Sequence, residues 1–216
     1  MYKWSRIAKL GIELEGGWNS KPQDLKPDGS VNSINCAYLG EVASKPLGIK
    51  SVLSWVDKNY PDKVNHTCGL HIHISLYSHA DYSKLMSRKF FLYLHREFKS
   101  WGLSYPINDD SAFWKRMAGE NTYCKNKFNN PDKQAETNYR ESIRYSHLNY
   151  CFKLHGTIEF RMLPMFQKKE IALSAIQKYY DIVNEWLAKQ PIEKAIKEVL
   201  MVTDSPEVEI QTEEVL

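Results

Sequence analysis

Gly69-Leu70-His71-Ile72-His73-Ile74-Ser75-Leu76 is the stretch on which the fold turns. Apolar and polar residues alternate along it, and a strand sends successive side chains to opposite faces. It therefore reads as a strand with Leu70, Ile72, Ile74 and Leu76 on one face and His71, His73 and Ser75 on the other. Three further segments place polar side chains at i and i+2: Glu13 with Glu15, His147 with Asn149, and Thr157 with Glu159 and Arg161. The residues between them are mostly apolar: Leu14, Leu148, Ile158 and Phe160. Residues two apart on a strand share a face. One sheet, apolar beneath and polar above, accounts for all four segments. Glu41, near a strand end, adds a fifth contribution.

The rest of the chain supplies cover for the apolar face. Ile7 to Leu14 and Gly40 to Ser44 read as strands, separated by a Pro27-Asp28-Gly29-Ser30 turn. Pro46 is placed to open a helix, with Val52, Leu53, Val56 and Tyr60 on its buried side. Ser83 to Trp101 reads as one helix, ended by Gly102. A helix is predicted over Asp109 to Met117 and a polar loop over Asn121 to Asn138. Strands over Tyr145 to Leu154 and Thr157 to Met162 flank a His155-Gly156 turn. Glu170 to Leu187 is predicted helical, with Ile171, Ala175, Ile176, Tyr179, Ile182 and Trp186 inward, and a short helix follows over Ile192 to Leu200. The predicted class is α+β: a single antiparallel sheet with a polar active-site face and helices packed on the other.

At 216 residues the chain suits one domain, residues 1–202, followed by an acidic, solvated tail over 203–216. The net charge of +3 does not favour nucleic acid or a membrane surface as a partner. None of the four cysteines forms a C-x-x-C pair. Met1 to Leu10 has no apolar leader core, and no apolar run approaches the roughly 18 residues that span a bilayer. The expectation is a cytoplasmic protein with reduced thiols and no membrane segment.

The predicted polar face holds Glu13, Glu15, Glu159, His71, His73 and Arg161. Carboxylates set side by side raise one another's pKa unless cations offset them. Oxygen ligands with a few imidazoles suit Mg²⁺ or Mn²⁺. An arginine there would repel a bare ion but suits a phosphate held between them. Metal and arginine around polyanionic oxygens point to phosphoryl transfer.

These segments, in this order, resemble the amidoligase family of the glutamine synthetase and glutamate–cysteine ligase superfamily. The residues that carry the resemblance are Gly11-Ile12-Glu13-Leu14-Glu15, Asp28-Gly29-Ser30, Gly40-Glu41-Val42-Ala43-Ser44-Lys45-Pro46-Leu47, Cys68 to Ile74, Arg144-Tyr145, Asn149 and Thr157 to Arg161. The resemblance implies a glutamine synthetase-like sheet and an ATP-dependent carboxylate–amine ligase with two Mg²⁺ or Mn²⁺ ions. It implies Glu13, Glu15, Glu41, His71 and Glu159 as metal ligands. It implies His73 and Arg161 as phosphate contacts, with Glu159, His73 and Arg161 catalytic, and Arg144 and Asn149 on nucleotide or substrate. The substrates would be a carboxylate and an amine, each a small molecule, peptide or protein; assembly into an oligomer is left open. The loop from Asn121 to Asn138, with Lys125 and Lys127, is a candidate lid. Asp28, Asp109 and Asp110 are candidates for the base that deprotonates the amine.

Three rival readings share some of these residues. His71 and His73 also fit an HUH-type endonuclease, with Tyr179 or Tyr180 as nucleophile. Cys68, His71 and His73 fit part of a zinc site, which needs a fourth ligand. A non-catalytic nucleotide-binding module would keep the same face without turnover.

Overall fold

The computed structural model describes residues 5–104, 111–128, 145–151 and 155–189. Its five strands are β1 (Ile7–Trp18), β2 (Tyr38–Ala43), β3 (Gly69–Leu76), β4 (Leu148–Cys151) and β5 (Thr157–Pro164). They form one sheet in the order β2-β1-β3-β5-β4, antiparallel throughout. The helices are α1 (Ile49–Asn59), α2 (His79–Leu85), α3 (Arg88–Ser104), α4 (Ser111–Ala118) and α5 (Lys169–Lys189). The chain is thus α+β, and no described helix is long and apolar enough to cross a membrane.

The core lies beneath the sheet. Leu10, Ile12, Leu14, Leu70, Ile72, Ile74, Ile158 and Phe160 are all buried. Helices α1, α3 and α5 supply the other half of that layer, through Val52, Val56, Leu94, Phe98, Ile176 and Val183. Phe160 is clasped there, 5.2 Å from Phe98 and stacked 4.4 Å from Tyr179. Stacked rings of this kind add about 0.5–1.5 kcal/mol beyond their burial.

Several boundaries differ from the sequence reading. Helix α1 begins at Ile49 rather than Pro46, because the Leu47 backbone is bonded both ways to Leu10. The helix expected over Ser83 to Trp101 is two. Ser78 caps the first by accepting from Ala80 N–H, and Ser87 opens the second by accepting from Phe90 N–H. Gly102 does not end α3 but lies inside it, where a Cβ would fall 2.6 Å from the Phe113 ring of α4. Strand β4 begins only at Leu148. The Ile192 to Leu200 helix, the acidic tail, Asp109, Asp110, Arg144 and the 129–138 part of the loop lie outside the described residues.

Candidate functional site

Strand register builds the polar face. Glu15 lies opposite Glu41, Glu13 opposite His71, His73 opposite Glu159, and Glu159 opposite Asn149. Every strand therefore contributes. The β3–β5 pairing shifts between Leu70 and Ile72, so Arg161 and Met162 both face the stretch around His71. An extra residue of this kind re-aims a side chain, and here Arg161 turns back onto Glu159.

Glu13 is the hub. Its Oε2 lies 3.0 Å from His71 Nδ1 and its Oε1 lies 3.1 Å from His73 Nε2. The other nitrogen of His73 meets Thr157 Oγ1 at 3.1 Å. Glu159 Oε1 accepts from Arg161 Nη1 and lies 3.7 Å from His71 Nδ1. Its Oε2 accepts from Asn149 Nδ2 at 2.8 Å. Glu15 Oε2 accepts from Gly69 N–H, and its Oε1 is 3.6 Å from His71 Nε2. Glu15, His71, Asn149, Glu159 and Arg161 are all buried.

Partners decide which carboxylates stay ionised. Burial works to raise the Glu13 carboxyl, but bonds from His71 and His73 outweigh it and hold the group well below the usual range. Burial likewise opposes ionisation of Glu159, and Arg161, then His73 and His71, reverse it. Burial also disfavours the His73 cation, yet Glu13 and Glu159 raise its pKa. For Glu41 the His71 charge is too weak an offset. Burial, with the Glu13 charge next, pushes it up to about 7.

The donors fit hard divalent cations. Three groupings bring their ligand atoms within 4.8 Å of one another: Glu13, His73 and Glu159; Glu13, Glu41 and His71; Glu15, Asp28 and Glu41. Two ligand atoms on one Mg²⁺ or Ca²⁺ ion are separated by at most about 4–5 Å, so each grouping can close on a single ion. Glu13 and Glu41 are each shared between groupings, so the ions would sit next to each other.

Asp28, read in the sequence as a turn residue and a candidate base, joins this set as a ligand. It is brought there by a backbone bridge between Lys26 and Glu41. Gly40 permits that bridge: its φ is +149°, and a Cβ on it would lie 2.1 Å from the Lys26 carbonyl oxygen.

Two cavities flank the cluster. One, of about 340 Å³, opens beside Glu13, His73 and Thr157 and is also lined by Lys9, Lys26 and Ser75. The other, of about 210 Å³, lies beyond Glu15 and His71 and is lined by Arg161 and Arg116. Arg116, from α4, went unremarked in the sequence. A basic residue in the last turn of a helix ordinarily faces solvent and favours the helix dipole.

The predicted residues Glu13, Glu15, Glu41, His71, His73, Glu159 and Arg161 thus come together on one face. Asn149 joins them, but its amide is engaged by Glu159. His147 does not. It stacks on His95 of α3, with ring nitrogens 2.8 Å apart. Of the candidate lid, Lys125 is tied by its backbone to Tyr145 and His147 at the sheet edge.

Other positions bear on the rivals. Tyr179 is fully buried under the sheet, on the face opposite His71 and His73. Tyr180 borders a separate groove with Arg6 and Asn184 on the same helix layer. Among the described residues Cys68 joins none of the ligand groupings; its thiol lies 3.7 Å from Asn65 Oδ1. No family model, curated protein or solved structure matches this chain.

Proposed function

We propose that the chain is an ATP-dependent carboxylate–amine ligase on a glutamine synthetase-like sheet. One observation carries the reading: Glu13, His71, His73 and Glu159 converge within 4.0 Å contacts, with Arg161 on the same carboxylate. Cation ligands and a planar anion-binding fork sit on one dry surface between two cavities. A bare metal site has no use for that arginine, whereas a phosphoryl group between ions and arginine uses every member.

Glu13, Glu15, Glu41, His71, Glu159 and Asp28 would hold the divalent ions. Bound there, the ions supply charge neutralisation for the triphosphate. Asn149 holds the second oxygen of Glu159 and fixes which oxygen faces outward. Arg161, oriented by Glu159, presents donors toward a transferring phosphoryl group. His73 is held by Glu13 and Thr157 at the mouth of the larger cavity, where it reaches nucleotide phosphate.

The reaction has two steps. A substrate carboxylate oxygen attacks the γ-phosphorus of ATP, giving an acyl phosphate and ADP. An amine then attacks the acyl carbon, the C–O bond to phosphate breaks, and an amide, inorganic phosphate and a proton result. Phosphorylation is needed because a free carboxylate would have to expel oxide. The buried setting of Glu15, Glu159 and Arg161 excludes the water that would otherwise hydrolyse the acyl phosphate.

Calorimetry of ATP with and without Mg²⁺ or Mn²⁺, on the wild type and on Glu13→Gln/Glu15→Gln, tests the reading. Binding that needs the ion and disappears in the variant supports it. Metal-independent binding, or none in the wild type, removes the nucleotide site and the ligase with it.

A further inference from the structure

The smaller cavity contains an arginine with too little to do. Arg116 is only 2% exposed, yet among the described residues no carboxylate oxygen comes within 4.0 Å of it. Its Nη1 reaches the Arg161 carbonyl at 3.5 Å and its Nη2 the Thr67 carbonyl at 3.4 Å, both far longer than the roughly 2.9 Å of an ordinary bond. Among the described residues its Nε has no partner, and neither does the Nε of Arg161. A guanidinium cannot escape by losing its proton. A buried charge left without its partner is strongly destabilising. Arg161 lines the same cavity but is paired with Glu159, and Glu15 and Asp28 stand on its opposite wall, so Arg116 is the fork that an anion would complete.

Cavity shape narrows the anion. At about 210 Å³ the space is smaller than the roughly 300–1,000 Å³ of drug-sized ligand sites. It does not admit a nucleotide. The larger cavity, with Lys9 and Lys26 on its wall, is of the right size for one. A planar fork on a rigid helix matches a carboxylate through paired N–H donors. Thr67, Ser30 and Tyr145 line the same space and offer hydroxyls to the rest of a small polar molecule.

Arg116 is also held in place from behind. His147 Nε2 lies 2.7 Å from the Arg116 carbonyl oxygen and donates to it. That bond fixes the last turn of α4 against the sheet.

We propose that this cavity binds the ligase's carboxylate substrate, a molecule about the size of an amino acid, with Arg116 as its anchoring residue. The assignment rests on the ligase reading for its meaning, but its test stands apart from it. In this arrangement the carboxylate enters from the Arg116 side, the nucleotide from the His73 side, and the two meet at Glu13, His71 and Arg161.

The test uses the full chain with the proteinogenic amino acids and short mono- and dicarboxylates as probes, at millimolar concentration. Binding is read by saturation-transfer NMR, beside calorimetry of ATP with Mg²⁺. The wild type should bind at least one probe. Arg116→Gln should weaken that probe about tenfold or more, the loss expected for a charge-assisted bond, while ATP–Mg²⁺ binding is unchanged. Ser30→Leu narrows the cavity from its half-exposed rim and should weaken the same probe, which covers a failure of Arg116→Gln to fold. Equal probe affinity in both variants overturns the proposal, as does the absence of any bound probe. Inorganic phosphate as the only anion that needs Arg116 also overturns it. Carboxylate binding through Arg116 in a chain that never binds ATP would sink the ligase reading and leave this site standing.

Discussion

The hydrogen that His147 carries can be assigned from its neighbours. A carbonyl oxygen only accepts, so His147 Nε2, 2.7 Å from the Arg116 carbonyl, must bear the proton. Its Nδ1 therefore accepts from His95 Nε2–H at 2.8 Å, and a second proton on the ring would set donor against donor. Burial holds His95 down to about 4, and burial, with His95 beside it, holds His147 down to about 3, against an ordinary value of 6.5. The unfolded chain thus binds more protons than the folded one between these values and 6.5, so stability rises with pH across that window and is lost as pH falls below 6.5. His147→Phe should be less stable near neutrality by about 1–3 kcal/mol, because the Arg116 carbonyl loses its donor. Its urea midpoint should also fall less steeply from pH 6.5 to 4. An unchanged slope would place the acid sensitivity in other groups. Tyr179 offers the opposite case. Its hydroxyl is fully buried with no bonding partner among the described residues, while its ring stacks on Phe160. Tyr179→Phe keeps the ring and removes the unsatisfied group, so it should stabilise the chain by about 1 kcal/mol in chemical denaturation. A loss of stability would mean that the hydroxyl finds a bond in solution.

Packing between α3 and α4 rests on a missing side chain. Alanine at position 102 would favour the helix by about 1 kcal/mol over glycine. Its Cβ would nevertheless lie 2.6 Å from the Phe113 ring. Overpacking costs about 1–3 kcal/mol, so Gly102→Ala should lower the urea midpoint; a raised midpoint would show that Phe113 yields. The same position shows what a sequence conveys and what it does not. Strand β3 was legible to its ends, because alternation from Gly69 to Leu76 is a local signal fixed by the pleat. The sharing of one face by Glu13, His71, Glu159 and Arg161 followed from the same period. Gly102 read as a helix stop, since a glycine after a periodic apolar run looks the same whether it ends a helix or makes room for one. Asp28 read as a turn residue and a candidate base, and the Lys26–Glu41 bridge moves it among the ligands. His147 was assigned to the polar face by its spacing from Asn149, but β4 starts after it and the period has no hold there. Arg116 carried no signal at all, because its role depends on a cavity enclosed by segments far apart in the chain, from Glu15 to Arg161.

At the scale of the whole molecule, the sheet divides two unlike environments. Beneath it Leu14, Ile72 and Phe160 sit in a dry core; above it four glutamates and Asp28 crowd around two imidazoles. The apolar burial lies in the layer shared by the sheet's underside and the helices, so the polar face adds repulsion that the core must offset. Glu15 and Glu41 sit directly opposite in register, and like charges so placed destabilise a strand pair. Glu13 and Glu159 have the closest cationic partners in His71, His73 and Arg161, and Glu15 shares His71 at 3.6 Å. A bound cation would relieve the remainder, and a ligand that binds only the folded state stabilises it by mass action. Mn²⁺ or Mg²⁺ at a hundred times its dissociation constant should therefore add about 2.7 kcal/mol and raise the melting temperature, with chelator reversing the gain. Glu41→Gln removes one of the facing charges, so the metal-free variant should melt above the metal-free wild type. It should also gain less from the cation, having lost a ligand shared by two groupings. A cation response of the same size in wild type and variant would separate Glu41 from the metal. No response in the wild type would leave the acidic face without the ions its geometry calls for.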